Sequence, residues 1–131
     1  MACIGSSTNG CYGNRSHSNV GPRKVQLMSE FIDFSINNNV ATIVVNRPQM
    51  ANAFNPEMIE RFSSCLDEAV ENDGVRIVKI KAAGKNFCAG ADLKWLQSIN
   101  EYSYEENVQD ALKLSNLMEK LFKLPKPTIG R

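Results

Sequence analysis

"VRIVKIKAAGKNFCAGADLK", residues 75–94, is the stretch on which the fold of this chain turns. Its first half is apolar and β-branched, with Val75 and Ile77 and then, in part, Val78 and Ile80 marking a strand. Its second half places four small residues, Cys88, Ala89, Gly90 and Ala91, at the end of that strand and opens a helix with Asp92. Small residues let a ligand come up against the main chain, and a helix start offers backbone N–H groups without intrahelical partners. The pairing suits a site where something partly negative is held by backbone donors. The alternative is a tight turn.

Working outward, "FIDFSINNNVATIVVNRP" (31–48) reads as two strands joined by a polar turn at Asn37-Asn38-Asn39. The second strand, Val40 to Val45, is almost wholly apolar and β-branched, which predicts burial on both faces. Pro48 ends it. "NPEMIERFSSCLDEAVEND" (55–73) predicts a helix, with Asn55 as cap, Pro56 at the first helical position and Glu57 at the positive end. Met58, Phe62, Leu66, Ala69 and Val70 recur at helical spacing, and Gly74 stops the run. Strand, helix and strand in this order make a βαβ-like unit. Downstream, Asp92 to Ile99 reads as a short helix. "SYEENVQDALKLSNLMEKLFKLP" (103–125) reads as a long amphipathic one, with Val108, Leu112, Leu114, Leu117, Leu121 and Leu124 on its buried side. No internal repeat is present.

The 131 residues suffice for one modest domain. Apolar residues at 43% and charged residues at 22% suit a soluble globular protein. Fifteen basic against fourteen acidic residues leave no field that favours nucleic acid or an anionic membrane. No apolar run approaches the roughly 20 residues that span a bilayer. Cys3, Cys11, Cys65 and Cys88 form no C-x-x-C pair, and His17 is the one histidine, so no metal site is expected. The cysteine usage fits a reduced, intracellular setting, read as cytoplasmic with the mitochondrial matrix as alternative.

Residues 1–29 differ from the rest, being rich in Ser, Asn and Gly, without apolar periodicity and without an acidic residue before Glu30. They are expected to be a disordered leader or extension, with Met28 as the natural start and His17 carrying no function. The domain is placed at 30–131.

Two segments together resemble the enoyl-CoA hydratase/isomerase, or crotonase, superfamily. "NRPQMANAFNPEM" (46–58) is similar to its N-R-P-x-x-x-N-A-hydrophobic segment, and residues 75–94 to its strand leading into F-x-A-G-A-D-[LI]. The downstream "YSYEENVQDALKLSNLMEKLFKLPKPTIGR" and Trp95 look most like the branch of 3-methylglutaconyl-CoA and isohexenylglutaconyl-CoA hydratases. The resemblance implies an α/β fold, the N-terminal part of a crotonase-like ββα spiral, in a parent that assembles as a homotrimer or a dimer of trimers. It implies an acyl-CoA substrate and no separate cofactor, coenzyme A being part of the substrate.

In this family a thioester is polarised so that an enolate forms, and two backbone N–H groups receive the charge on its oxygen. By position, the first donor falls on the N–H of Ala91. The resemblance places Met50, Ala51 and Ala53 in a loop around the pantetheine and adenine, and Lys85 and Lys94 near the coenzyme A phosphates. Ala89, Gly90, Asp92, Leu93 and Trp95 complete the expected substrate contacts. Several have plainer readings: Asp92 as a helix N-terminal charge, the lysines as solvated side chains, Trp95 as core filler. Arg47 is expected to brace its loop, and Asn46, Asn52 and Asn55 to serve turns and caps. Glu57, Glu60, Glu68 and Glu71 fall on an exposed helix face. The family's second donor follows K-P-T-I-x-x, and its water-activating carboxylates lie further on. These 131 residues are therefore expected to hold about half the machinery and to show no hydration alone. Isomerase, dehalogenase and decarboxylase members share the first donor, and a non-catalytic acyl-CoA-binding or subunit-interaction module is the remaining alternative.

Overall fold

The computed structural model describes residues 30–131, so the expectations for the leader, Met28, His17, Cys3 and Cys11 lie outside the described residues. Strands β1 (Ile32–Asn37) and β2 (Val40–Val45) form an antiparallel hairpin in which Asn37 pairs with Val40. The two residues between them, Asn38 and Asn39, have φ of 49° and 65°. A two-residue hairpin turn of this hand needs positive φ twice, and asparagine tolerates it. Helix α1 (Pro56–Glu71) then carries the chain over to β3 (Ile77–Ala82), which runs parallel to β2. Helices α2 (Leu93–Ser98) and α3 (Tyr104–Phe122) follow, and a short strand, β4 (Thr128–Gly130), adds in parallel to β3. The sheet order is β1-β2-β3-β4.

Helix α1 forms where its sequence signals coincide. The Asn55 side chain accepts from the Met58 N–H at 2.9 Å, and Pro56 occupies a first-turn position that needs no N–H. Its inner face buries Met58, Ile59, Phe62, Cys65, Leu66 and Ala69. These meet Ala41, Ile43 and Val45 of β2, Val78 and Ile80 of β3, Ile32 of β1 and Leu117 of α3 in one core. Each large side chain so buried contributes about 1.5–3 kcal/mol. Burial also pushes the Cys65 thiol up to about 11. The helix ends at Glu71, ahead of Gly74, with Asn72 in extended conformation. There Lys126 donates to the carbonyls of Ala69 and Asn72 at 2.7 and 2.8 Å, a cation on the negative end of the helix.

Three expectations change. Strand β2 is not buried on both faces: Ala41, Ile43 and Val45 are inside, whereas Val40, Thr42 and Val44 are only half-covered. In β3 the buried phase is Val78 and Ile80, with Ile77 on the half-covered face. In α3 the inward stripe is Asp110, Leu114, Leu117 and Leu121, while Val108 and Leu112 are exposed. At 3.6 residues per turn these two stand on the opposite side from Leu117, so the expected face mixed two phases. They join Tyr104 and Phe122 in a second, outward apolar stripe. Strand β4 was not foreseen.

Candidate active site

The parallel strands β2 and β3 end side by side, and the two loops that leave their carboxyl ends lie against each other. That is where open α/β sheets receive ligands. The first loop begins at Arg47, makes one 3-10 turn at Pro48–Met50 and continues through Ala51 and Asn52 in left-handed conformation, φ 52° and 57°. Two successive left-handed residues turn the chain sharply, and Phe54 then anchors it by packing edge-on to Phe62 of α1, ring centroids 6.1 Å apart. The second loop leaves β3 through Gly84, whose φ is 80° and where an added Cβ would lie 2.9 Å from the Pro48 Cβ. Only glycine allows that approach. The loop runs exposed from Gly84 to Gly90 before α2 begins.

The two loops join by main-chain hydrogen bonds. Ala89 N–H donates to Ala51 O at 3.1 Å, Phe54 N–H to Gly90 O at 2.7 Å, and Asp92 N–H to Phe54 O at 2.8 Å. Phe54 and Ala91 thus form an isolated parallel bridge. In such a bridge Phe54 spends both of its groups on the neighbours of Ala91, and Ala91 turns its own N–H and C=O to the other side. The Ala91 N–H has no hydrogen-bond partner among the described residues. Gly90, at φ 99°, lies beside it with open space where a Cβ would be. A backbone donor next to open space can receive an oxygen.

An ion pair ties the arrangement from within. Arg47 Nη1 lies 2.5 Å from Asp92 Oδ2, with the side chains 13% and 3% exposed. The same nitrogen donates to Ala53 O at 3.1 Å, and the guanidinium sits 5.3 Å from the Phe31 ring centre. Asp92 Oδ1 accepts from the Lys94 N–H at 2.7 Å, capping α2. The Arg47 hydrogen bond, followed by the backbone bond from Lys94, holds the Asp92 carboxyl below its ordinary value against the opposing effect of burial.

The sequence profile of enoyl-CoA hydratase/isomerase matches residues 40–130. This chain belongs to the enoyl-CoA hydratase/isomerase family. It is similar to an enoyl-CoA hydratase of Shewanella pealeana, with 39% identity and a TM-score of 0.74 over 76% of this chain and 38% of that one. It is 33% identical over 104 residues to 1,2-epoxyphenylacetyl-CoA isomerase of Escherichia coli, covering 78% of this chain and 39% of the relative. It is 34% identical over 100 residues to trans-2-decenoyl-[acyl-carrier-protein] isomerase of Streptococcus mutans, covering 73% and 37%. The chain thus spans well under half the length of these relatives, and its sheet and helices are part of the crotonase fold.

Against this family background the expected site residues divide into two groups. Met50, Lys85, Ala89, Gly90, Leu93 and Lys94 are exposed around the joined loops, and Ala51 and Ala91 are half-buried between them. Ala53, Asp92 and Trp95 are buried. These three take part in the packing and hydrogen bonding of the loops and core. Ala53 packs inside, and Asp92 has both oxygens engaged. Trp95 joins the core and donates its indole N–H to Asp110 Oδ2 of α3 at 2.7 Å. Arg47 braces the loop, as expected. Asn55 caps α1 and Asn46 reaches Asp33 at 3.3 Å. Glu57, Glu60, Glu68 and Glu71 are exposed on α1. Sequence reasoning missed Asp110, whose only signal was an acid in register with Leu114 and Leu117. It also missed the reach of Asn52 beyond its own turn.

Among the described residues no group of three or more His, Cys, Asp or Glu side chains could hold a metal ion, and no helix is long and apolar enough to cross a membrane.

Proposed function

We propose that this segment supplies one half of a thioester-activating site, with the Ala91 N–H donating to the thioester oxygen of an acyl-CoA as an enolate forms. The single observation that carries the reading is the outward, unpartnered N–H of Ala91, held by the two bonds to Phe54. One such donor is worth roughly 2.7–4 kcal/mol once charge has developed on the oxygen. In the ground state it is worth about 0.5–1.5 kcal/mol, or a roughly two- to tenfold preference for binding. Met50, Lys85 and Lys94 are exposed around this donor, which leaves them free to meet a pantetheine and its phosphates, and the open space at Gly90 leaves room for an acyl carbonyl.

The reaction we assign is addition of water across an α,β-unsaturated acyl-CoA, with acyl groups of the methylglutaconyl or isohexenylglutaconyl kind. The downstream segment ending in "KPTIGR" supports that branch. Trp95, packed in the core with its indole N–H on Asp110, is not used in that assignment. Isomerisation is the second reading, favoured by two relatives named as isomerases, one of them a trans-2-decenoyl-[acyl-carrier-protein] isomerase. Hydration passes through a β-hydroxy enolate and double-bond isomerisation through a dienolate, but both put negative charge on the thioester oxygen and need the same donor. Asp92, the carboxylate beside Ala91, has both oxygens engaged and is not available to activate water. These residues alone are therefore proposed to bind the thioester without turning it over, and the assembled protein to be a homotrimer or a dimer of trimers.

The test compares crotonyl-CoA with S-butyl-CoA, a thioether that lacks the carbonyl, by calorimetry. The thioester should bind more tightly by roughly two- to tenfold. Ala91→Pro, which removes the hydrogen, should erase that preference, and Ala91→Val, which keeps it, should not. Equal binding of the two ligands by the unaltered chain refutes the reading.

A further inference from the structure

We propose that Asn52 is a positioning residue that sets the direction of the Ala91 N–H by clamping the root and the middle of the neighbouring loop. The role rests on the reading of Ala91 as a thioester donor. Asn52, in the first loop, is wholly buried, at 0% exposure, although the neighbouring loop is exposed from Gly84 to Gly90. Its side chain reaches three separate places. Oδ1 accepts from the Arg47 N–H at 2.8 Å, and Nδ2 donates to Ala83 O at 2.7 Å and to Asn86 O at 2.6 Å. A primary amide has two N–H donors, and here both are used on carbonyls. The opposite orientation would face its oxygen to two carbonyl oxygens, so the side chain has one workable setting.

Those bonds fall where main-chain pairing leaves a gap. The loop's distal end, from Ala89 to Asp92, is fastened to Ala51 and Phe54 by main-chain bonds. Ala83, at the proximal end, gives its N–H to Val45 O, but its carbonyl is free to take the Asn52 amide. Asn86 lies midway through an exposed stretch, and the same amide holds it. One side chain therefore spans from the Arg47 loop to both the root and the middle of the loop that presents Ala91. A shorter side chain would leave the carbonyls of Ala83 and Asn86 without their donor, and the loop between two glycines of positive φ would lose its internal anchor. A smooth backbone shift of about 1 Å at a site of this kind can cost on the order of 100-fold in rate.

Two substitutions separate the side chain from the backbone. Asn52→Gly accepts the left-handed φ of 57° and deletes all three bonds. Asn52→Asp keeps an acceptor for the Arg47 N–H and replaces the donor by a second acceptor. The purified chain is titrated with crotonyl-CoA and with S-butyl-CoA, and the Ala91 amide signal is followed by NMR. In the unaltered chain that signal should move with the thioester and not with the thioether. In both variants the response should vanish and the roughly two- to tenfold thioester preference fall to parity, while the thioether still binds and the Ile43 and Val78 amides remain the slowest to exchange, though faster than in the unaltered chain. Persistence of the Ala91 response in either folded variant overturns the positioning role while leaving the thioester reading intact. No Ala91 response in the unaltered chain refutes the thioester reading instead. A second measurement on the unaltered chain decides the matter if a variant fails to fold or if that reading falls. The Asn52 side-chain amide hydrogens should exchange together with the Ala89 and Asp92 amides, in one opening event below global unfolding. Rapid exchange of the Asn52 amide while Ala89 and Asp92 stay protected overturns the clamp.

Discussion

Asp92→Asn removes the charge from the buried pair and leaves almost everything else in place. Asparagine keeps an oxygen that can accept from the Lys94 N–H, so the cap of α2 survives. What is lost is the partner of Arg47, whose side chain is only 13% exposed. Breaking a buried pair from one side typically costs about 3–5 kcal/mol, because the remaining charge stays desolvated. Arg47 retains the Ala53 carbonyl and the face of Phe31, which places the expected loss at the lower end, about 3 kcal/mol. Asp92→Ala removes the cap as well and should cost about 1 kcal/mol more. Urea unfolding of the chain followed by circular dichroism reads both values, and at a slope near 1.5 kcal/mol per M the first is a midpoint shift of about 2 M. The decisive comparison is the double variant with Arg47→Met, which leaves no stranded charge. Its loss should fall short of the sum of the single losses by well over 0.5 kcal/mol. Additivity within about 0.5 kcal/mol would refute the claim that the pair acts as one buried unit.

The same carboxylate sets an acid dependence. The folded state holds Asp92 below its ordinary value, so its contribution is complete above the unfolded value of about 3.9 and disappears as pH falls through the folded one. Stability of the unaltered chain should therefore decline below about pH 4 more steeply than that of Asp92→Asn, as read by urea midpoints across the pH range. Of the two described cysteines, exposed Cys88 should react with iodoacetamide at pH 8 in the folded chain, and buried Cys65, pushed up to about 11, should react only on unfolding. Peptide mass mapping checks this, and equal labelling of both would contradict the buried position. Lys126→Met removes the cation from the end of α1 and should lower stability by about 1 kcal/mol in the same urea assay, whereas an unchanged midpoint would count against the cap.

The parts of the fold that were legible beforehand are those whose causes are local. The β1–β2 hairpin needed two asparagines that accept positive φ, and α1 needed a cap, a first-turn proline and one apolar stripe, all readable in "NPEMIERFSSCL". The misread parts depend on distant partners. Which face of α3 turns inward is decided by contact with α1, and its sequence carries apolar residues on two faces. Strand β4 is three residues long and owes its existence to pairing with β3. The stretch that holds the candidate donor stood out as small residues ahead of a helix cap, and Ala91 within it was picked out by the resemblance to the family. Trp95 was compatible with pocket and core alike until Asp110, 15 residues on, received its N–H. Asn52 looked like a turn residue because nothing in "MANAF" announces carbonyls 31 and 34 residues away.

The central claim is that the Ala91 N–H, turned outward by the Phe54 bridge, donates to a thioester oxygen. The most direct measurement is the amide proton shift of Ala91 in isotopically labelled chain titrated with crotonyl-CoA, set beside the same titration with S-butyl-CoA. A hydrogen bond to the carbonyl should move the Ala91 proton downfield with the thioester and leave it in place with the thioether, while the bonded Phe54 and Asp92 amides stay put in both. An Ala91 signal that ignores the thioester, or follows both ligands equally, would contradict the account and reduce residues 88–92 to a tight turn.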